Sequence, residues 1–220
     1  MVFIALVIGA YLLGSIPFGL LISRKVARLD ITKAGSGNIG ATNVAREVGL
    51  TWGIITLAVD TLKGFIPVAL AHSLLWSSGE ILEALKGIVG LSALLGHQFS
   101  VYNRFRGGKG VATCLGVFLA ISPLSCLLSG IIFLTLVSVW RYVSLGSLVA
   151  ALAMPIWLYL LGHPTPLTVI SLIISVLIIF LHRENVKRLI QGNETRWQRR
   201  EVTVIDQPDG IAPHRSKTRL

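Results

Sequence analysis

Apolar residues run along this chain in long, nearly unbroken stretches, without the strict alternation of a half-buried strand. Seven stretches lie near 2–22, 52–71, 85–101, 111–122, 124–140, 144–161 and 166–182. A helix needs about 20 apolar residues to cross the hydrocarbon of a bilayer. The pattern therefore predicts an all-α integral membrane bundle of about seven transmembrane helices. The fourth stretch is only about 12 residues, too short to cross roughly 30 Å upright, so it is expected to be partial, tilted or extended by its neighbours. Ser122-Pro123 predicts a turn after it, and Gly162-His163-Pro164 predicts another between the sixth and seventh stretches. No internal repeat is visible, which weighs against the common transporter architectures.

Composition supports the membrane class. Of 220 residues, 53% are hydrophobic and 14% charged, and mean hydropathy is +0.75; soluble domains carry roughly 25% charged residues. Charge then orients the bundle. The first stretch has no basic segment before it but is followed by Arg24, Lys25 and Arg28, which predicts an uncleaved span with its N-terminus outside. On that topology the inside segments 23–51, 102–110, 141–143 and the tail from Arg183 hold five, three, one and nine Lys or Arg, or 18 of the 20. The outside connections hold none. This positive-inside bias predicts an odd number of spans and a cytoplasmic C-terminus. Residues 1–197 are expected to form one transmembrane domain. Residues 198–220 form a polar, basic tail that frays or lies against anionic headgroups. Cys114 and Cys126 lack metal-ligand spacing and read as small buried hydrophobes.

Chemistry concentrates in the inside segments. Ala34-Gly-Ser-Gly-Asn-Ile-Gly-Ala-Thr-Asn-Val-Ala-Arg46 combines three glycines with Ser36, Asn38, Thr42, Asn43 and Arg46. Turning backbone N–H groups, neutral donors and a forked cation suit an oxyanion, although small residues also suit close helix packing. Gly107-Gly108-Lys109-Gly110 opens the fourth stretch, so free N–H groups and Lys109 could surround a phosphate. It is not a Walker A loop, because Gly110 rather than Ser or Thr follows Lys109. Arg104 and Arg106 read equally well as phosphate contacts or as inside-surface charge. His182 and Asn185 follow the seventh stretch and would share a face on a continuing helix, with Glu184 paired to Lys187 or Arg188 on its surface. Ser144 and Ser147 add two hydroxyls in a short inside turn. Asp60 and Lys63, three apart within the second stretch, read first as a structural ion pair.

No metal-ligand cluster, no HExxH, no G-x-S-x-G elbow, no Ser-His-acid set and no H-x4-D signature is apparent. Neither a metal nor another cofactor is expected, and neither is a nucleic-acid partner. Phosphate cradles without a strong nucleophile suit a reaction in which the substrates carry the reactivity. A transporter of a phosphorylated solute could use the same cationic face, but it would need a polar route to an outer side that is almost chargeless.

The three segments together resemble the bacterial membrane acyl-phosphate:glycerol-3-phosphate acyltransferases. Members carry GSGNxGATN with a following Arg, then GH-x-F and GGKGVAT, then H-x2-N with R-L-x2-G-x-E; here these stand at Gly35–Asn43 with Arg46, Gly96–Thr113 and His182–Glu194. The likeness spans roughly residues 3–197, and Ile39 stands where the family usually has Pro. The resemblance implies direct attack of the glycerol 3-phosphate 1-hydroxyl on acyl phosphate at the cytoplasmic face of a bacterial inner membrane. It would yield lysophosphatidic acid, the first step of phospholipid synthesis. By resemblance Ser36, Arg46, Lys109, Ser147 and His182 contact phosphate or oxyanion, with Ser144 an alternative to Ser147. Asn185 would bind substrate or hold its segment. Gly107, Gly108 and Gly110 would shape the loop, and Asn38, Thr42, Asn43 and Arg104 are further substrate contacts. Expected partners are glycerol 3-phosphate, acyl phosphate, membrane lipid and, transiently, the soluble enzyme that supplies acyl phosphate.

Overall fold

The computed structural model describes residues 1–197; the tail from 198, for which fraying or headgroup contact is expected, lies outside the described residues. Among these the chain is all helical: α1 Val2–Ser15, α2 Phe18–Ala27, α3 Ala41–Glu47, α4 Leu50–Leu74, α5 Gly79–Gln98, α6 Val111–Ile121, α7 Pro123–Trp140, α8 Val143–Leu160, α9 Thr165–Leu181 and α10 Arg183–Ile190. Four segments are long and apolar enough to cross a membrane: α1 with α2 as one 26-residue span, α4, α7 and α8. Counting the bent pair α9–α10 makes five. Their outer surfaces present large apolar side chains, among them Ile4, Leu127, Leu134, Val176 and Phe180, as lipid contact requires.

α6 is the predicted short element. Its 11 residues rise about 16 Å, roughly half the hydrocarbon thickness, and it packs against α4, α5 and α7. Val117 and Phe118 are buried in a core shared with Val68, Leu94, Leu158, Leu167 and Ile174. The turn at Ser122-Pro123 starts α7 with proline in its first turn. There the missing N–H costs nothing.

The helices approach closely through small residues. A Cβ at Gly64 would strike the backbone of Thr113, and one at Gly116 the backbone of Thr61, so α4 and α6 meet nearly backbone to backbone. Breaks in the helices are capped from neighbours. Pro155 in α8 cannot donate to Ala151 O; Ser175 of α9 donates to that carbonyl instead, at 2.5 Å. At the Ile16-Pro17 break between α1 and α2, Lys63 donates to Ile16 O at 2.9 Å.

One expectation is corrected. No continuous helix carries His182 and Asn185: the axis bends by 60° between α9 and α10, where the sequence passes from Ile-Ile-Phe-Leu to Arg-Glu-Asn and the charged segment leaves the apolar layer. Away from these segments, Ser122, His163 and Glu83 lie near one another at the end of the bundle where α6 meets α7, without a hydrogen bond between histidine and acid. His163 Nε2 lies 3.0 Å from Ser122 Oγ, and His163 Nδ1 lies 4.0 Å from Glu83 Oε2. Ser122 is buried and shares a hydrogen with Ser125 at 2.8 Å, and Glu83 pairs with Lys86 at 2.5 Å. The set ties α5, the α6–α7 turn and the α8–α9 loop together. Adjacent residues cannot show it, because its members lie 39 to 80 positions apart.

Replacing Gly64 with Leu should force α4 from α6. We expect a loss of about 1–3 kcal/mol, read as a lowered thermal midpoint of the purified protein; an unchanged midpoint would mean that the close approach is dispensable.

Candidate active site

The three polar segments and the short turn meet at one end of the bundle around a cavity of about 530 Å³. Its wall is built first by the loop before α3. Gly35 takes φ +56°, and a side chain there would run into Asn43 and Glu47. Asn43 is the clamp of this loop: its Oδ1 accepts from Ser36 N–H at 3.0 Å, and its Nδ2 faces Ile31 O, Ala34 O and Asn38 O at 3.4, 3.0 and 2.9 Å. The donors of Asn43 are thus spent on the loop, while the residue itself lines the cavity. Asn38 closes a local turn by accepting from Gly40 N–H at 2.7 Å. Ile39 is buried with Leu20, Ile31 and Val44 and anchors the loop from below. Ser36, Thr42 and Arg46 are left facing the cavity.

Across from this wall, Lys109 enters from the glycine loop. Gly110 adopts φ +85°, a left-handed turn open to glycine, and α6 starts directly after it. Lys109 donates to Asn185 Oδ1. Burial pushes its ammonium down to about 8; Glu194 opposes the shift, and the like charges of Arg188 and Arg46 add to it. Gly107 and Gly108 do not line the cavity but pack against His97. Arg104 is exposed outside it, in a left-handed turn shared with Phe105, and does not line the cavity.

His182, at the α9–α10 bend, donates from Nδ1 to Ile178 O at 2.8 Å, which leaves Nε2 as the acceptor of the neutral ring. Asn185 sits one turn on and also lines the cavity. Ser144 and Ser147, expected in a turn but placed at the start of α8, do so too, and neither hydroxyl hydrogen is unspent. Ser147 donates to Val143 O at 2.8 Å and Ser144 to Glu194 at 2.7 Å.

Glu194 is the residue that the pattern of cations obscured. Its two oxygens accept from Ser144, from Asn185 Nδ2 at 2.6 Å and from Arg188 Nε at 2.8 Å. Burial raises its carboxyl, but the bonds from Asn185, Ser144 and Arg188 outweigh this and hold it below the ordinary range. Arg188 pairs with Glu194, not with Glu184 as expected. The residues after it fold back over the site: Arg46 donates to Thr195 O at 3.1 Å, and Trp197 N–H to Arg141 O at 2.6 Å. One signal was available, since Glu194 is the single acid between Asn185 and Trp197 in a cation-rich segment.

A second cavity, also about 530 Å³ and almost wholly apolar, adjoins the first. Thr42, Leu57, Val111, Phe133, Val143 and Ser147 line both. From there it follows α7 from Val137 to Cys126, with Gly130 at its wall.

The glycerol-3-phosphate acyltransferase family model matches residues 4–192. The chain belongs to that family. It is 49% identical over 190 residues to the glycerol-3-phosphate acyltransferase of Trichlorobacter lovleyi, covering 86% of this chain and 95% of the relative. It is 50% identical over 196 residues to that of Geotalea daltonii, covering 89% and 98%. The fold matches the crystal structure of PlsY, an integral membrane glycerol 3-phosphate acyltransferase, in its glycerol 3-phosphate form, with a TM-score of 0.83 at 42% identity over 90% of this chain and 96% of that one. The lysophosphatidic acid form of PlsY matches at 0.81. Family membership makes this an acyltransferase of phospholipid synthesis set in a membrane and disfavours the transporter alternative.

Lys109 carries its charge below about pH 8 and loses it as pH rises through that value. We expect kcat/KM for glycerol 3-phosphate to fall above about pH 8, and Lys109→Arg, charged throughout, to remove that limb from whatever activity it retains. A profile flat to pH 10 in the unmodified enzyme would show that the Lys109 charge is not used.

Proposed function

We propose that the chain transfers a fatty acyl group from acyl phosphate to the 1-hydroxyl of glycerol 3-phosphate, giving lysophosphatidic acid and inorganic phosphate. The observation that carries this reading is the pairing of the cavities: a cation-lined chamber opens through Thr42, Val111 and Ser147 into an apolar one. Phosphates occupy the first and the acyl chain the second, so the acyl carbonyl lies at their junction.

Lys109, Arg46 and Ser36 hold the phosphates and, with Thr42, the carbonyl oxygen as it gains charge. His182 Nε2 accepts a hydrogen bond from the attacking hydroxyl and orients it. The bond from glycerol oxygen to acyl carbon forms as the acyl carbon–oxygen bond to phosphate breaks, and the hydroxyl proton passes to a phosphate oxygen. No covalent enzyme intermediate is needed, because phosphate is already a good leaving group. Fixed charges in a buried site do most of the work. Ser147 lines the junction, Asn185 holds Lys109, and Asn38 and the three loop glycines keep the walls in place.

The same reading places the protein in the bacterial cytoplasmic membrane with seven spans, the N-terminus outside and the cavity open to the cytoplasm. The soluble enzyme that supplies acyl phosphate would meet that face transiently. Exclusive positive charge on one set of loops supports this orientation. The chain 1–197 acts as one unit, followed by the basic tail.

Purified protein in lipid, given palmitoyl phosphate and glycerol 3-phosphate without metal, should release lysophosphatidic acid and phosphate in equal amounts. Lys109→Ala and Arg46→Ala should each lower kcat/KM about 10²–10³-fold while still inserting in the membrane. No product from folded wild type, or near-normal rates in both variants, would sink the reading. For the orientation, Ser78→Cys should react with an impermeant maleimide on intact cells, and Lys33→Cys only after lysis. Both sites are exposed, whereas Cys114 and Cys126 are buried. The reverse labelling would invert the topology.

A further inference from the structure

Two buried side chains reach the polar cavity without a part in the reaction just described: Asp60 of α4 and His97 of α5. Asp60 is paired with Lys63 at 2.8 Å, and both side chains are 2% exposed. An ion pair removed from water in this way carries a desolvation penalty that offsets its attraction, so it is weak support for stability alone. Lys63 is fixed on its other sides by Ile16 O at 2.9 Å and by the Phe18 ring, whose centre lies 5.7 Å away. Asp60 Oδ1 in turn stands 3.8 Å from His97 Nδ1. The ring of His97 therefore stands against this pair without a hydrogen bond to it, and the pair is itself braced against the break between α1 and α2.

The front of the same residue bears on the glycine loop. His97 O accepts from Gly108 N–H at 3.1 Å. A Cβ at Gly107 would fall on that carbonyl. At Gly108 the three nearest atoms to a Cβ would all belong to the imidazole: Nε2, Cε1 at 3.0 Å and Cδ2 at 3.3 Å. The next side chain, Gln98, donates to Lys109 O at 3.3 Å. The loop lies flush on the end of α5, with the imidazole as its bed.

We propose that His97, backed by the Asp60–Lys63 pair, is a positioning residue that sets the height of the Gly107–Gly110 loop and so places Lys109 against the phosphate of glycerol 3-phosphate. The proposal rests on the reading that Lys109 holds that phosphate. It gives the intramembrane ion pair a task in binding, although neither of its members touches the substrate. It also explains why glycine is required at 108 by a neighbour's side chain, since Gly108 is absent from the positive-φ positions.

The test is a double-mutant cycle on His97 and Gly108, read in the KM for glycerol 3-phosphate, kcat and the KM for acyl phosphate. Gly108→Ala should raise the KM for glycerol 3-phosphate about tenfold, and His97→Ala should raise it severalfold, each with little change in the KM for acyl phosphate. Because the added methyl would occupy the space the ring leaves, the double variant should bind glycerol 3-phosphate better than Gly108→Ala alone. If instead the two effects multiply, or if folded His97→Ala changes kcat alone, the proposal is overturned. Should His97→Ala fail to fold, His97→Asn also removes the ring and is expected to give the same relief of Gly108→Ala. Removing both charges together, as Asp60→Asn with Lys63→Met, leaves no lone buried ion. It should still raise the KM for glycerol 3-phosphate severalfold; an unaltered KM overturns the part assigned to the pair. A Lys109→Ala enzyme with unchanged KM for glycerol 3-phosphate would defeat the underlying reading, whatever the cycle shows.

Discussion

Inside hydrocarbon, a backbone carbonyl or N–H without a partner costs several kcal/mol, and this protein breaks its helices repeatedly. The architecture depends on how each break is repaired. Ser175 covers Ala151 O opposite Pro155; Lys63 adds a second donor to Ile16 O, which the Phe18 N–H also reaches, and His182 Nδ1 adds one to Ile178 O beside the His182 N–H. α6 goes further, crossing only part of the layer, and its leading loop rests on the end of α5. Repair and function coincide, because two of these three donors belong to residues at or directly behind the cavity.

The site is a gathering of like charges in a place that disfavours charge. Arg46, Lys109 and Arg188 converge where burial already depresses the Lys109 ammonium. Glu194 offsets part of that repulsion and uses both oxygens to fix Ser144, Asn185 and Arg188. Ordered donors of this kind need not reorganise when negative charge arrives, which is the main source of rate in acyl transfer.

How much of this could be read from residues alone follows from what each feature depends on. The helical segments were legible because bilayer thickness sets a run length, and Ser122-Pro123 and Gly162 end helices by local chemistry. The meeting of the Ser36, Lys109 and His182 segments was legible because all are rich in donors and cations. The loop clamp at Asn43, the bend at His182 and the union of Ser122, His163 and Glu83 were not legible, because each depends on which distant backbone arrives beside it. Arg188 illustrates the limit: helical spacing favours Glu184, yet a carboxylate six residues on, brought round by a turn at Gly192, is the actual partner. Site assignment was sharpest where charge alone suffices, as at Arg46 and Lys109, and weakest for hydroxyls such as Ser147 that a helix carbonyl can claim.

The carboxylate of Glu194 comes late in the chain, while the loop it faces across the cavity begins near residue 34. Synthesis runs from one to the other. During insertion the early cations therefore lack Glu194, and Ser144 and Asn185 lack the bonds it accepts. The cavity acquires its final shape only when translation has passed Glu194 and the segment behind it has folded back on Arg141. A nascent chain that stops short of that point therefore lacks the carboxylate that ties α8 to α10.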